Sequence, residues 1–418
     1  MGSSSQAGAS ACSPWHDACM TTETISTVRF DRLERAQALM RDQGVAAIVV
    51  MNHDDYRWFF GIDRTQPRAI IPATGAPALI AFTAEEEELR AIMGDGPILI
   101  WGSVGGQIND VVTRLREIAA ETGAVTPAPG TRLRVAMQQW FETPAFLVEM
   151  FRKVNPGVEL VSSDPIMDPL RGVKEPAEIA TMTAAQRIAG IGMDRARTLL
   201  RDGATAHEIA TEAMYAMMRA GAQRTSTPIY VNVGRETCML HGWHSPRPMR
   251  TGDLVVIDLT PVVDGYCANL ARTFVLGEPD AQQRSLLEAY EALIPVVRDA
   301  MRPGATVAQL DACAGAVLRE HGLAEHQVKG IGHGLGLRFE ETPASTIIPP
   351  HRNIPLRDGM TVTIGHTILA IPGFGGVRHE DVYRVTPAGG EILVPYPIAP
   401  VVAAAPPAPS IERILGPK

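Results

Sequence analysis

The sequence predicts an α+β protein of two domains, and three observations carry that prediction. At 418 residues the chain is longer than one ordinary hydrophobic core encloses. From Thr27 to about Val161, helix and strand signals alternate in one self-contained α/β run. From Lys174 onward, long helical stretches and strand-like runs follow one another without that strict alternation.

Each element has a local cause. Phe30 to Gln43 places apolar residues at helical spacing, and Gly44 stops the helix. Ala46 to Met51 is a short β-branched run that fits a buried strand, and Ala69 to Pro72 with Ala78 to Phe82 flanks a glycine turn as a hairpin. A strand at Ile98 to Trp101, a helix from Asn109 to Thr122 and a strand at Leu133 to Met137 repeat the pattern. A connector rich in Ser, Asp and Pro follows. Lys174-Glu175-Pro176-Ala177-Glu178 then opens a long helix, with proline and acids in its first turns. Further helices are predicted at Ala206 to Ala220, Ser285 to Met301 and Val307 to His321, and strands at Leu254 to Leu259, Arg272 to Leu276, Thr361 to Ile371 and Asp381 to Val385. The resulting division is a disordered leader at 1–26, an α/β domain at 27–161, a linker at 162–171, a second domain at 172–400 and a flexible tail at 401–418.

Bulk properties exclude several classes. Hydrophobic content of 45% and charged content of 20% are ordinary for a globular chain, and a net charge of −8 gives no footprint for nucleic acid. No apolar run approaches the roughly 18 residues that cross a bilayer, and the first residues lack the basic start and apolar stretch of a secretion signal. Five cysteines form no CxxC pair, which points to a reduced, cytoplasmic protein; Cys267 reads as a packing residue.

The chemistry-bearing residues cluster in the last third. Asp258 in VVIDLTP, His333 in GHGLG and Glu380 in VRHED are the types that divalent ions take as ligands. With the segments Asp55-Tyr56-Arg57-Trp58-Phe59-Phe60-Gly61 and Arg171-Gly172-Val173-Lys174-Glu175, they resemble the "pita-bread" superfamily of creatinase, aminopeptidase P, prolidase and methionine aminopeptidase (M24), in its two-domain creatinase-like branch. The resemblance implies a creatinase-type α/β domain followed by a pita-bread domain, and covers residues from about 27 to 396. Its metal-using members hold two ions with Asp, Asp, His, Glu and Glu. Position by position, Asp258, His333 and Glu380 match, but Asn269 stands for the bridging aspartate, Gly365 for the first glutamate and Glu340 for a further histidine. Two carboxylates facing two divalent ions make a poor dinuclear site.

The resemblance to creatinase, which abandoned metal, therefore implies a metal-independent hydrolase with no cofactor. It would cleave the C–N bond of an amide, lactam or cyclic amidine in a small carboxylate-bearing metabolite. His241 lies eleven residues before Gly252-Asp253, the creatinase spacing for a general acid–base; His333, Glu380 and Asp258 complete the catalytic group. Arg64, reaching over from the partner of a homodimer with a shared site, and Arg338 are implied as carboxylate clamps. Asn269, His366 and Glu340 are candidate substrate-binding residues, whereas Arg378 and Arg272 read as structural. One alternative is a single-metal Xaa-Pro peptidase-like enzyme or lyase, with one divalent ion at Asp258, His333 and Glu380. His366 could join that set, but regular strand alternation turns it to the opposite face. A non-catalytic peptide-binding module is the other alternative.

Overall fold

The computed structural model describes residues 29–64, 67–101, 106–121, 132–139, 143–239, 242–366 and 369–402. The predicted leader and His241 lie outside the described residues, as does the tail beyond 402.

In the N-terminal domain a six-stranded sheet runs in the order Ile98–Trp101, Ala78–Phe82, Ala69–Pro72, Ala47–Val50, Leu133–Met137, Val158–Ser162. Ala47–Val50 is buried at all four positions, as a strand covered on both faces must be. The helix Phe30–Asp42 lays Leu33, Ala36 and Met40 into the adjoining core. The segment 53–60 forms a helix: Asn52 Oδ1 accepts from the Asp55 N–H at 2.8 Å, and Gly61 closes it at φ 70°.

Residues 162–171, expected as a linker, instead hold most of the helix Asp164–Gly172. Pro165 sits in its first turn, where no helical N–H is required, and Ile166 and Met167 are buried. The proline that reads as a breaker is a helix start. This helix ends at a buried charge network between the domains. Arg171 donates to Asp55 Oδ1 at 2.8 Å, to Asp54 Oδ2 at 3.3 Å and to Glu341 Oε2 at 2.7 Å. Lys174 also bonds Glu341, and Arg338 Nε donates to Asp54 Oδ2 at 2.7 Å. Three acids thus meet three bases. Burial works against the Glu341 carboxylate, but Lys174 and Arg171 outweigh it and hold its pKa at about 2.

The C-terminal domain is built on a four-stranded sheet, Val401–Val402, Leu270–Leu276, Leu254–Leu259, Tyr230–Val233, and a three-stranded one, Thr361–Ile364, Asp381–Thr386, Gly389–Ile392. Residues 401 and 402, assigned from sequence to the tail, pair in parallel with Val275 and Leu276. The helices Pro176–Thr198, Ala206–Arg219, Ala281–Ala300 and Val307–Glu320 cover the sheets. Their starts are capped as their sequences require; Asp280 and Gln283, for example, satisfy each other's backbone N–H groups at 2.8 and 2.9 Å. The two-domain α+β architecture is the one expected.

The sheets meet at one seam. Asp258 lies opposite both Tyr230 and Ala271, and Ala271 exchanges both backbone hydrogen bonds with Glu380, at 3.1 and 3.0 Å. Thr363 N–H donates to the His333 carbonyl at 2.9 Å, and the Thr363 hydroxyl accepts from the His333 N–H at 3.2 Å. The predicted single strand from Thr361 to Ile371 is broken: it stops at Ile364, and Leu369–Ile371 pairs elsewhere. The break is Gly365, at φ 116°.

Candidate metal centre

Gly365 decides the geometry. Its backbone packs so closely on the neighbouring chain that a Cβ there would overlap the His379 carbonyl, and its φ is one that L side chains rarely adopt. A glutamate at this position is excluded on both counts. The same break cancels strand alternation, so His366 turns to the side of Glu380. Ligand atoms of His333, His366 and Glu380 lie within 4.8 Å of one another, and all three residues are buried.

Hydrogen bonding shows what this cluster lacks. His333 Nδ1 lies 3.0 Å from the Gly334 carbonyl, which only accepts, so Nδ1 carries the proton and Nε2 keeps its lone pair. That lone pair faces Glu380 Oε1 at 3.6 Å. His366 Nδ1 is 3.6 Å from the same oxygen. Both His333 Nε2 and Glu380 Oε1 are buried without a hydrogen-bond partner. Burial lowers the His366 pKa, so its imidazole is neutral at pH 7. Two imidazoles and a carboxylate converging on one point form the His₂Glu set of a single borderline divalent ion. The residues fit one metal.

They do not fit two. Asn269 Nδ2 donates to Asp258 Oδ1 at 3.1 Å, and Arg378 Nη1 meets Asp258 Oδ2 at 3.0 Å. Asp258 is thereby withdrawn from the expected ligand trio, and His366 takes its place. Arg378, expected to be structural, also donates to Glu380 Oε2 from Nη2 at 2.7 Å and from Nε at 3.0 Å. Its Nη2 lies 3.0 Å from His366 Nδ1. Burial pushes the Asp258 carboxyl up to about 6 despite Arg378. Burial opposes the Glu380 carboxylate too, but Arg378 and the imidazoles hold it well below the usual range. The shared guanidinium serves Glu380 first.

Through His366 the cluster adjoins a cavity of about 380 Å³, also lined by Asp258, Arg378, Arg224, Arg338 and Glu340. The Thr346 hydroxyl donates to Glu340. Burial pushes the Cys267 thiol up to about 12, so it is no nucleophile. Arg64 does not line this cavity and pairs with Glu85 and Glu88, at 2.9 and 3.2 Å. Tyr230 and Arg224 also line it and carried no sequence signal beyond ordinary strand residues. For Arg378 a signal existed: two residues before Glu380 on extended chain is the same face. Arg272 is indeed structural, buried against Asp381 and four backbone carbonyls.

Residues 180–387 match the profile of the metallopeptidase family M24, and residues 32–173 match the Creatinase/Prolidase N-terminal domain. The Xaa-Pro dipeptidase of Pyrococcus furiosus is 31% identical over 250 residues, spanning 59% of this chain and 70% of that protein. The probable dipeptidase PepE of Mycobacterium bovis is 30% identical over 371 residues, spanning 86% and 92%. Among solved structures, the dipeptidase PepE from Mycobacterium ulcerans superposes with a TM-score of 0.76 at 27% identity, covering 90% of this chain and 98% of its own. The Xaa-Pro dipeptidase from Bacillus anthracis gives 0.78 at 23% identity over 90% and 99%, a likeness of fold. These relatives are named as dipeptidases, and the matched profile is that of a metallopeptidase family. They overturn the expectation of a metal-independent hydrolase of non-peptide C–N bonds, and with it the expectation of no cofactor. Kinship with hydrolytic peptidases supports the hydrolase class itself. With both domains matched and a relative aligned over nearly its full length, the chain belongs to the metallopeptidase family M24, in the two-domain pita-bread branch.

Proposed function

We propose that this protein is a single-metal hydrolase of the Xaa-Pro dipeptidase kind, with one divalent ion held by His333, His366 and Glu380. One observation carries the reading: two buried acceptors, His333 Nε2 and Glu380 Oε1, face each other at 3.6 Å with no donor for either. A divalent cation between them would satisfy both.

A bound ion supplies Lewis acidity toward the scissile carbonyl and lowers the pKa of a water. The protein's own groups do the rest. The Gly334 carbonyl fixes the tautomer of His333, and Arg378 fixes the orientation of Glu380. Arg338, positioned through Nε by Asp54, lines the cavity where its guanidinium can meet the carboxylate of a short substrate. Glu340, with one oxygen on Thr346, offers the other to an amino group. A cavity of about 380 Å³ with two arginines and a glutamate on its walls suits a dipeptide better than a long chain.

A homodimer is part of this proposal, supported by the exposed Met214, Tyr215 and Met218 on one helix; a monomer in sedimentation would remove it. A reduced, cytoplasmic setting is supported by the free thiols of Cys238, Cys267 and Cys313. No helix among the described residues is long and apolar enough to cross a membrane. To test the activity, chelator-stripped protein is assayed on Xaa-Pro dipeptides before and after one equivalent of Zn²⁺, Co²⁺ or Mn²⁺. Restored hydrolysis is expected; full activity in stripped protein would sink the reading.

A further inference from the structure

We propose that Tyr290 is a positioning residue of the metal centre: its hydroxyl, bonded to the Gly365 carbonyl, fixes the break in the strand and with it the angle at which His366 meets the ion. The inference rests on the single-metal reading above and names the side chain on which the His366 ligand depends.

Tyr290 comes from the helix Ala281–Ala300 and is buried. It stands on the helix face that also buries Leu286, Leu293 and Val297, where a hydroxyl without a partner would cost stability. That partner is the Gly365 carbonyl, which accepts from the hydroxyl at 2.7 Å. The carbonyl needs the donor equally. The strand ladder ends at the Ile364–Asp381 pair, so Gly365 lies beyond it, in the interior. The N–H groups of Gly365 and His366 both go to the Ile331 carbonyl, at 2.8 and 3.2 Å. Those two bonds and the Tyr290 hydroxyl hold the turn at its φ of 116°.

The same side chain reaches the second ligand strand. Its ring meets the His379 ring in a T-shaped contact, with centroids 5.4 Å apart and planes at 79°. Gly365 immediately precedes His366, and His379 immediately precedes Glu380. One phenol therefore touches the residue before each of two ligands. His333 is held otherwise, through its backbone bonds to Thr363. Removing only the hydroxyl leaves the ring packing in place but strands the Gly365 carbonyl in the interior. The turn then gains by any shift that brings the carbonyl a donor, and His366 moves with it. Metal–imidazole distances hold to within about 0.2 Å, so a small shift is enough to weaken the bond to an ion.

The test reads metal affinity rather than activity. Wild-type, Tyr290→Phe and Tyr266→Phe proteins are stripped and titrated with Zn²⁺ against a chromophoric chelator. Tyr266 is the control, because its buried hydroxyl donates to Glu178 Oε1 at 2.6 Å and not to a residue beside a ligand. Tyr290→Phe is expected to weaken Zn²⁺ binding about 10- to 100-fold, the scale of losing a group that orients a ligand, and Tyr266→Phe less than about twofold. In a His366→Ala background, Tyr290→Phe should add less than about twofold, because the hydroxyl acts through that imidazole. If Tyr290→Phe does not fold, as judged by circular dichroism, the flexible, donor-free Tyr290→Met is read in its place with the same expectation. Unchanged affinity in the variant overturns the proposal and leaves the single-metal reading intact. So does an equal loss in both tyrosine variants, which marks general loosening, or a full loss on top of His366→Ala. A wild type that binds no Zn²⁺ defeats the single-metal reading, and the proposal falls with it.

Discussion

Arg338 donates from Nε to Oδ2 of Asp54 at 2.7 Å, so a cavity-wall residue of the C-terminal domain is held in place by the N-terminal one. Asp54 does not line the cavity and bears on it through Arg338. Asp54→Asn should therefore raise KM for a carboxylate-bearing dipeptide by about tenfold, or about 1.4 kcal/mol, with kcat changed little. Steady-state kinetics decide it. Equal falls in kcat and kcat/KM would place Asp54 in the reaction rather than in binding.

His366→Ala should weaken metal binding by more than the roughly 10- to 100-fold typical of losing an outer-shell partner, because a direct ligand is removed. His379→Ala provides the contrast. That imidazole is equally buried, but it packs on Tyr290 and accepts the Thr273 N–H at 3.4 Å on the other side of the chain. Calorimetric titration with Zn²⁺ should show the first variant crippled and the second unchanged. Equal losses would mean that His366 does not bind metal.

Gly365→Ala is expected to cost about 3 kcal/mol or more, from a disallowed φ together with overpacking against the His379 carbonyl. Thermal unfolding of the variant against the wild type measures this. A melting temperature within a degree or two of the wild type would show that the backbone here relaxes freely.

Asp168 gives a pH signature. Burial raises its pKa to about 6, only partly offset by the Thr342 hydroxyl that donates to it. A raised acid favours the folded state only while protonated. Its contribution is full below about pH 4 and is lost as pH rises through 6. Asp168→Asn, which keeps an acceptor for Thr342, should be more stable than wild type at pH 7.5. The gain is about 1–2 kcal/mol once solvent screening of a half-buried group is allowed for. The gap should close near pH 4. A gap that is constant with pH would contradict the assignment.

Much of this molecule was legible in its residues. Apolar spacing locates the strand Leu254–Leu259 and the two long helices that precede it, because burial on a sheet or helix face leaves a periodic trace. His333 and Glu380 stood out by type and spacing, and both sit at the centre of the cluster. Strand alternation puts His366 on the opposite face because it assumes an unbroken strand, and Gly365 breaks it. Arg378 reads as structural because its second carboxylate partner, Asp258, lies far away in sequence and is brought beside Glu380 only by the register of Asp258, Ala271 and Glu380. The helix Asp164–Gly172 is hidden for a different reason: proline is permitted in a first turn, and only buried Ile166 and Met167 reveal that a helix continues from it.

The turn at Gly365 bears on how lost function is diagnosed in chains of this kind. Compared column by column, the chain has traded a ligand for a residue with no side chain at all, the usual mark of a decayed enzyme. On the single-metal reading proposed above, the duty moves in space one step along the backbone, to a neighbour of different chemistry, and the glycine is what makes the handover possible. A vacancy in an alignment column and a vacancy in a coordination sphere are therefore separate events. Pseudoenzymes inferred from the first deserve a look at the residue next door.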